Sequence, residues 1–426
     1  MQHEFLGFNR LRLRNVRCFK HTEIPLDKHV TVIVGSNASG KTTLLEALAS
    51  ITHGDDEGLA EFPLRHKSKR GEIALFESGR TRSAAKWQSS GKPSRQRLPY
   101  DRFIFLYGRY RRVLFLDSDG ESRSLTDAQY LEELASHASQ SRTTTLTRPD
   151  NRLLQDLAGY VRAINFGRSS DPRLETLWIR LNEMLPLMDP SLSAIRIEQG
   201  PDHLIPKVIR NGVALELTQL SDGYQALLVV ILDLMLRYQY LFFEGDPLAG
   251  RALVGIDEID LHLHPQWQRT VLPQLTKLFP NTQFVITTHS PGVVQAAIDQ
   301  GFMVLRLEEE DGAVTVKPLS KTLMKSLRGA EVGSLLFEEH LFGVESRFSV
   351  AFGEIEQRVE ELQEKVANGE PTQEEYRELK KGLDQLEELV AKEDRRRGDG
   401  STMAQMVRMQ ASFVKALTDE LETARK

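Results

Sequence analysis

The chain has one cysteine, Cys18, in 426 residues. That excludes an internal disulfide and any zinc shell built on cysteines, and it fits a reducing compartment with Cys18 as a small buried hydrophobe. No apolar run reaches the ~20 residues that a membrane helix needs. The start, Met1-Gln2-His3-Glu4-Phe5, lacks a secretory leader pattern. The expectation is a cytoplasmic protein with no membrane partner. Aromatic residues are few, at 7%, and the net charge is only -5, so no global field favours nucleic acid. No 20–50-residue repeat is visible, which excludes solenoids. With 40% hydrophobic and 27% charged residues, the composition is that of a globular chain long enough for two or three compact units.

What is present is organised around one stretch. The β-branched run Thr31-Val32-Ile33-Val34 stops at a loop, Gly35-Ser36-Asn37-Ala38-Ser39-Gly40-Lys41-Thr42, and good helix formers follow from Thr43. This strand–loop–helix fits G-x-x-x-x-G-K-[ST]. Gly35 and Gly40 let successive backbone N–H groups turn inward on phosphate oxygens, and the helix adds its positive end. Lys41 supplies a point charge for the β- and γ-phosphates, and Thr42 a hydroxyl for Mg2+. The chain must then provide a carboxylate for the metal, an activator for water and a group that contacts the γ-phosphate.

Those groups appear in the second half. Residues 252–256 form an apolar strand that delivers Asp257 and Glu258 at its end. Asp257 is placed to hold Mg2+ with Thr42, and Glu258 to polarise water. Another apolar strand ends in Thr287-Thr288-His289-Ser290-Pro291, with His289 at the exit where ligands gather in open α/β sheets. Upstream, Ser221-Asp222-Gly223-Tyr224-Gln225 precedes an apolar helix that Ser221 can cap, and Gly223 allows a close backbone approach. Asp260, His262 and His264 alternate, but no further cysteine or histidine set completes a metal shell. Pro265 and Trp267 open a helix expected to run through Leu278, and the strands at 303–307 and 314–316 are expected at the sheet edge. Asn211-Gly212 reads as a hairpin turn.

Charge is unevenly spread. Residues 65–112 hold fourteen Lys/Arg against three acids, a net +11 that leaves -16 for the rest. Arg80, Arg82, Lys86 and Lys92 lie within it, among short strands around residues 72–76 and 84–87. This is either a solvated face or a surface for a polyanion such as DNA, and sparse aromatics argue against base stacking. Residues 124–190 have a helical pattern, interrupted by a polar loop at 139–145. At the other end, apolar residues at helical spacing over 355–366 and 376–390, broken by Asn368-Gly369-Glu370-Pro371, predict a helical hairpin. A charged hinge at 392–400 leads to an amphipathic helix over 403–421, suited to a partner or to oligomer contacts.

Taken in order, the phosphate loop, the 220–225 signature, Asp257-Glu258, the Asp260 loop and His289 resemble the ABC-type ATPases of the RecF/SMC/OLD branch. The wording around Ile256-Asp257-Glu258 and Thr287-Thr288-His289 is similar to the PtuA-like ATPases of bacterial anti-phage (Septu) systems. The resemblance covers residues 8–345. It implies an α/β ABC-type head: a mixed sheet around the phosphate loop, an antiparallel β subdomain and a helical subdomain, with a C-terminal helical extension. The expected divisions are 1–123, 124–190, 191–325 and 326–426.

The resemblance further implies two nucleotides sandwiched between two heads of a homodimer or higher homo-oligomer. Gly35 through Thr43 and Arg17 would then bind ATP, Thr42 and Asp257 the Mg2+, Glu258 would be the general base, and His289 would contact the γ-phosphate. Ser221, Asp222, Gly223 and Gln225 would reach the partner subunit's nucleotide, and Asp260 would form the D-loop between heads. Two departures stand out: the signature reads Ser-Asp-Gly-Tyr-Gln, and no glutamine loop follows the strand at 103–107, where Tyr107-Gly108-Arg109 stands. No long coiled-coil arm and no acidic nuclease cluster after residue 320 are present, so any cutting falls to a nuclease effector subunit. The implied function is an ATPase that regulates such a partner in anti-phage defence. The alternatives are a RecF-like DNA-repair ATPase and an ATP-bound scaffold with little turnover.

Overall fold

A computed structural model of the chain describes residues 7–52, 64, 65, 67–78, 80–88, 94–96, 104–108, 127–129, 131, 132, 143, 144, 157–200, 204–242, 246–310, 312–330, 332–338, 341 and 342, with isolated helical positions between 358 and 385. It divides into two compact units, Met1–Leu336 with His340–Phe342, and Phe337–Glu339 with Gly343–Lys426. The expected hinge at 392–400 and final helix at 403–421 lie outside the described residues. Within the second unit, Arg358 pairs with Glu378 at 3.1 Å, an ion pair between the two arms of the expected hairpin.

Elements of the first unit, in order, are β1 (Arg10–Val16), β2 (Phe19–Pro25), β3 (Val30–Val34), α1 (Lys41–Thr52), β4 (Arg70–Glu77), β5 (Arg80–Gln88), β6 (Ser94–Gln96), β7 (Ile104–Tyr107) and β8 (Thr143–Thr144). Then come α2 (Leu157–Gly167), α3 (Pro172–Met188), β9 (Leu192–Gln199), β10 (Leu204–Arg210), β11 (Val213–Glu216), α4 (Asp222–Leu241) and β12 (Leu253–Ile256). The unit ends with α5 (Pro265–Gln268), α6 (Val271–Leu278), β13 (Gln283–Thr287), α7 (Pro291–Gln300), β14 (Met303–Glu310), β15 (Ala313–Pro318) and α8 (Lys321–Ser326).

A mixed sheet in the order β15-β14-β3-β13-β12-β7-β8 forms the centre. Its strands β14, β3, β13, β12, β7 and β8 run parallel, and only β15 is antiparallel. Both faces are covered, which is why the central strands read as unbroken apolar runs. Along β3, Val30, Val32 and Val34 join the core beneath α4, whereas Ile33 joins the core around α1. The same split recurs in β7, where Phe105 and Tyr107 face the α4 side and Ile104 and Leu106 the α1 side.

The antiparallel sheet β2-β1-β4-β5-β6 and the small sheet β11-β10-β9 complete the described strands. Asn211 and Gly212 both have positive φ (49° and 80°), the left-handed pair that a two-residue hairpin needs. The helix α3 starts as its sequence predicts: Asp171 accepts from the Arg173 N–H, and Pro172 takes the first turn.

Three expectations need correction. Strand β14 is not at the edge, because it pairs in parallel with β3 and only β15 lies outside it. The helix expected over 265–278 is two helices broken at Arg269-Thr270, since Pro273 has no N–H to donate and its ring clashes with the carbonyl four residues back. Within the polar loop at 139–145, Thr143 and Thr144 add a short strand beside β7. Ser221 does occupy the N-cap of α4, but its side chain makes no capping hydrogen bond. Among the described residues, no helix is long and apolar enough to cross a membrane.

Candidate nucleotide site

The carboxyl ends of β3, β13 and β12 lie side by side, so the loops carrying Lys41, His289 and Asp257 emerge from three neighbouring strands. Parallel pairing alone therefore gathers residues more than 200 positions apart in sequence. The loop after β3 turns through Ala38 (φ 63°) and Gly40 (φ 98°) into α1. A Cβ on Gly40 would lie 2.8 Å from Cys18 Sγ and 3.0 Å from the Phe19 ring, so a hydrogen is all that fits there. Buried Lys41 donates to the carbonyls of Gly35 (2.9 Å) and Ser36 (2.8 Å), which folds its ammonium over the loop. Burial lowers its pKa, while Asp257, Glu258 and Asp260 pull the other way. Ser39 Oγ is buried without a hydrogen-bond partner, an oxygen placed to meet a polar ligand atom.

Asp257 is the junction. Its Oδ2 accepts from the Thr42 hydroxyl at 2.8 Å and its Oδ1 from the Thr287 hydroxyl at 2.5 Å. Its own N–H donates to the Tyr107 carbonyl at 2.8 Å. Thr287 Oγ1 also accepts from the Glu258 N–H at 2.7 Å, and Glu258 adopts φ 46°, a left-handed turn that carries the chain away from the strand. Further along the same two segments, Asp260 Oδ1 accepts from the Thr288 hydroxyl at 2.5 Å and from the His289 N–H at 3.3 Å. Burial first, and then the Lys41 ammonium, hold the His289 pKa below the ordinary 6.5, so its imidazole is neutral at pH 7.

Sequence reading missed Thr287 and Thr288. Two hydroxyl residues ending a buried apolar strand beside a carboxylate pair were the available signal, since such groups need partners when buried. Arg17, in the β1–β2 turn at φ 44°, lies beside the first turns of α1, where it contacts Thr43 at 3.3 Å and pairs with Glu46. It thus sits next to the phosphate loop, engaged by a carboxylate.

The signature segment packs against its own chain's Asp260 loop. A Cβ on Gly223 would fall 2.1 Å from the His262 carbonyl oxygen, so Gly223 is required by that intramolecular approach. Gln225 is turned inward too, donating to the Leu220 carbonyl at 2.6 Å. Asp222 and Ser221 remain exposed. Among the described residues, no group of three or more His, Cys, Asp and Glu side chains is placed to hold a metal ion.

Residues 30–295 match the family described as AAA domain, putative AbiEii toxin, Type IV TA system. The chain belongs to that family. Among curated proteins, this AAA-domain chain is 42% identical over 118 residues to the retron Ec83 probable ATPase of Escherichia coli, covering 28% of the chain and 21% of that protein. It is 35% identical over 126 residues to the retron Vc95 probable ATPase of Vibrio cholerae, covering 29% and 24%. It is 34% identical over 122 residues to the Septu protein PtuA of Bacillus mycoides, covering 28% and 16%. The matched stretch is thus about a quarter or less of each relative's length. An SMC head bound to the C-winged helix domain of ScpA aligns over 75% of the chain and 99% of that structure, with 18% identity and a TM-score of 0.46. The AAA-domain chain is an ABC-type ATPase of the branch that includes the Septu and retron proteins.

Gly223→Ala separates two effects of opposite sign. Helix propensity alone would favour alanine by up to ~1 kcal/mol. Overlap with the His262 carbonyl should instead destabilise the fold by about 1–3 kcal/mol in denaturant unfolding. A stabilised variant would mean that the two segments separate freely.

Proposed function

We propose that the chain binds ATP with Mg2+, closes with a second copy around the nucleotide, and through this cycle regulates a nuclease effector subunit in anti-phage defence. The observation that supports it most is the Thr42–Asp257–Thr287 linkage, which joins the phosphate loop to the paired carboxylates. In this reading the backbone of Gly35, Ser36, Asn37, Ala38, Ser39 and Gly40 surrounds the β- and γ-phosphates. Lys41 leaves the loop carbonyls for the phosphates, and Thr43 and Arg17 flank them. Thr42 and Asp257 hold Mg2+, which when bound offsets the negative charge of the phosphate oxygens.

Glu258 accepts a proton from the attacking water, and its position is fixed by the N–H bond to Thr287. Neutral His289 donates to the γ-phosphate, with its backbone held by Asp260. Exposed Ser221 and Asp222 are presented to the partner copy's nucleotide, while Gly223 and Gln225 hold that corner in shape. The defence setting and the effector rest on the likeness to Septu PtuA and the retron ATPases. The first test is chemical. Glu258→Gln should keep ATP affinity and slow hydrolysis at least a hundredfold, whereas Lys41→Ala should weaken binding itself. Wild-type turnover in Glu258→Gln would remove Glu258 from the mechanism.

DNA is the proposed second ligand, and a specific surface supports it. Alternation along β1 puts Arg10, Arg12 and Arg14 on one face of the antiparallel sheet. Register brings Lys86 and Glu72 of the neighbouring strands alongside. Glu72 lies within 3.3 Å of Arg12, 3.5 Å of Arg14 and 3.6 Å of Lys86, and Glu23 pairs with Arg10 at 2.9 Å, so on this face four cations meet two carboxylates. Arg10 and Arg12 lie over the Phe76 ring at 4.2 and 4.9 Å, covering the aromatic surface that a protein partner would use. Reversing Arg14 and Lys86 to glutamate should weaken duplex DNA binding and lower the slope of log affinity against log salt by about 2. An unchanged slope would leave this face solvated.

A further inference from the structure

The helix α4 poses a problem of placement. Residues Gly223 through Gln239 are all buried, so α4 is enclosed on every side and has no solvent-facing stripe to fix its rotation. Its interior is mostly Leu, Val, Ile and Met, side chains that tolerate small slides and rotations. Yet the signature residues at its start must be presented in one orientation if they are to serve a nucleotide. One end is fixed by the fit of Gly223 against the His262 carbonyl.

Three turns along, α4 carries a charged pair in this apolar setting. Arg237 Nε donates to Asp233 Oδ2 at 2.9 Å, and each side chain is 1% exposed. The Tyr107 hydroxyl donates to the same Asp233 oxygen at 2.5 Å. Burial and the Asp233 charge raise the Tyr107 pKa well above its ordinary value, so the hydroxyl stays protonated and remains the donor. The Arg237 guanidinium also lies 5.5 Å from the centre of the Phe105 ring, on the same strand as Tyr107. Tyr107 is the last residue of β7, and its carbonyl accepts the Asp257 N–H at 2.8 Å. The carboxylate of Asp257 in turn receives Thr42. A run of hydrogen bonds therefore links the middle of the signature helix, through a single tyrosine, to the carboxylate at the phosphate loop.

A buried ion pair adds little net stability compared with an apolar pair of equal volume, and the best-attested use of such a pair is to fix the register of the element that carries it. We propose that Tyr107, Asp233 and Arg237 are positioning residues: they fix the rotational register of α4 against the strand end that carries Asp257, so that the signature corner and the nucleotide site hold one relative geometry. Tyr107 stands where ABC-type ATPases place the start of a glutamine loop, and here its side chain is committed inward to α4 instead of outward to the nucleotide. The inference rests on the reading that Ser221 serves turnover, and it assigns to the Tyr107 set an effect on turnover, not on nucleotide affinity.

The test uses the full chain with ATP. Tyr107→Phe removes one hydroxyl and leaves the ion pair. Asp233→Leu with Arg237→Met removes the pair without stranding a charge. Both variants should lower kcat tenfold or more, with KM for ATP and equilibrium ATP affinity within twofold of wild type, at a temperature well below either melting transition. A purely structural role would lower Tm and leave kcat within twofold, and that result in Tyr107→Phe overturns the proposal. Should the double variant not fold, Tyr107→Phe decides alone. Ser221→Arg is measured alongside. Its loss of turnover, combined with normal kcat in Tyr107→Phe, would overturn the coupling alone. Normal turnover in Ser221→Arg would overturn the reading on which the coupling rests, and the proposal with it.

Discussion

The site depends on one carboxylate with two hydroxyl donors. Asp257 is fully buried at the end of β12, a position that would be costly for a charge without partners. Thr42 and Thr287 each satisfy one of its oxygens, and they stand at the start of α1 and the end of β13, the two elements that must be aligned for chemistry on a phosphate. Thr287 also sets the Glu258 backbone, so the same hydroxyl orients both acids. The loops after β3, β12 and β13 are thereby held as one assembly by hydrogen bonds to side chains that cannot be repacked independently.

This assembly is possible because the sheet is buried on both faces. Valines on one side of β3 and Ile33 on the other leave the strand no freedom of register, since a one-residue slip would exchange the two cores. The carboxyl ends of the parallel strands are then fixed in height relative to one another. Asp260 repeats the pattern one step outward, tying its own loop to Thr288 and His289. The signature corner is joined to this ring through the His262 carbonyl.

Much of this was legible in the residues. The phosphate loop, the Asp257-Glu258 pair and His289 announce themselves through apolar runs that end in polar groups, because a doubly buried strand must be apolar and can only show chemistry at its exit. The Asn211-Gly212 turn and the Asp171-Pro172 helix start were legible for local reasons of backbone φ and capping. What could not be read was non-local. That β14 lies inside the sheet follows from pairing with β3, which no local pattern encodes. Thr287 looked like an ordinary strand residue until Asp257 was placed beside it. Gly223 looked like a ligand-approach glycine, and its nearest neighbour is the chain's own carbonyl. The Tyr107–Asp233–Arg237 set spans more than 120 positions and contains no motif.

The central claim is that turnover needs two copies of the chain, one giving the phosphate loop and the other the signature corner. The most direct measurement is ATP hydrolysis in mixtures of Lys41→Ala and Ser221→Arg chains, each inactive alone, with heterodimer formation verified by differently tagged copies. A mixed dimer holds one composite site with both defects and one with neither, so the account predicts that mixing restores activity in proportion to the heterodimer present. No recovery in mixtures shown to contain heterodimers would contradict it.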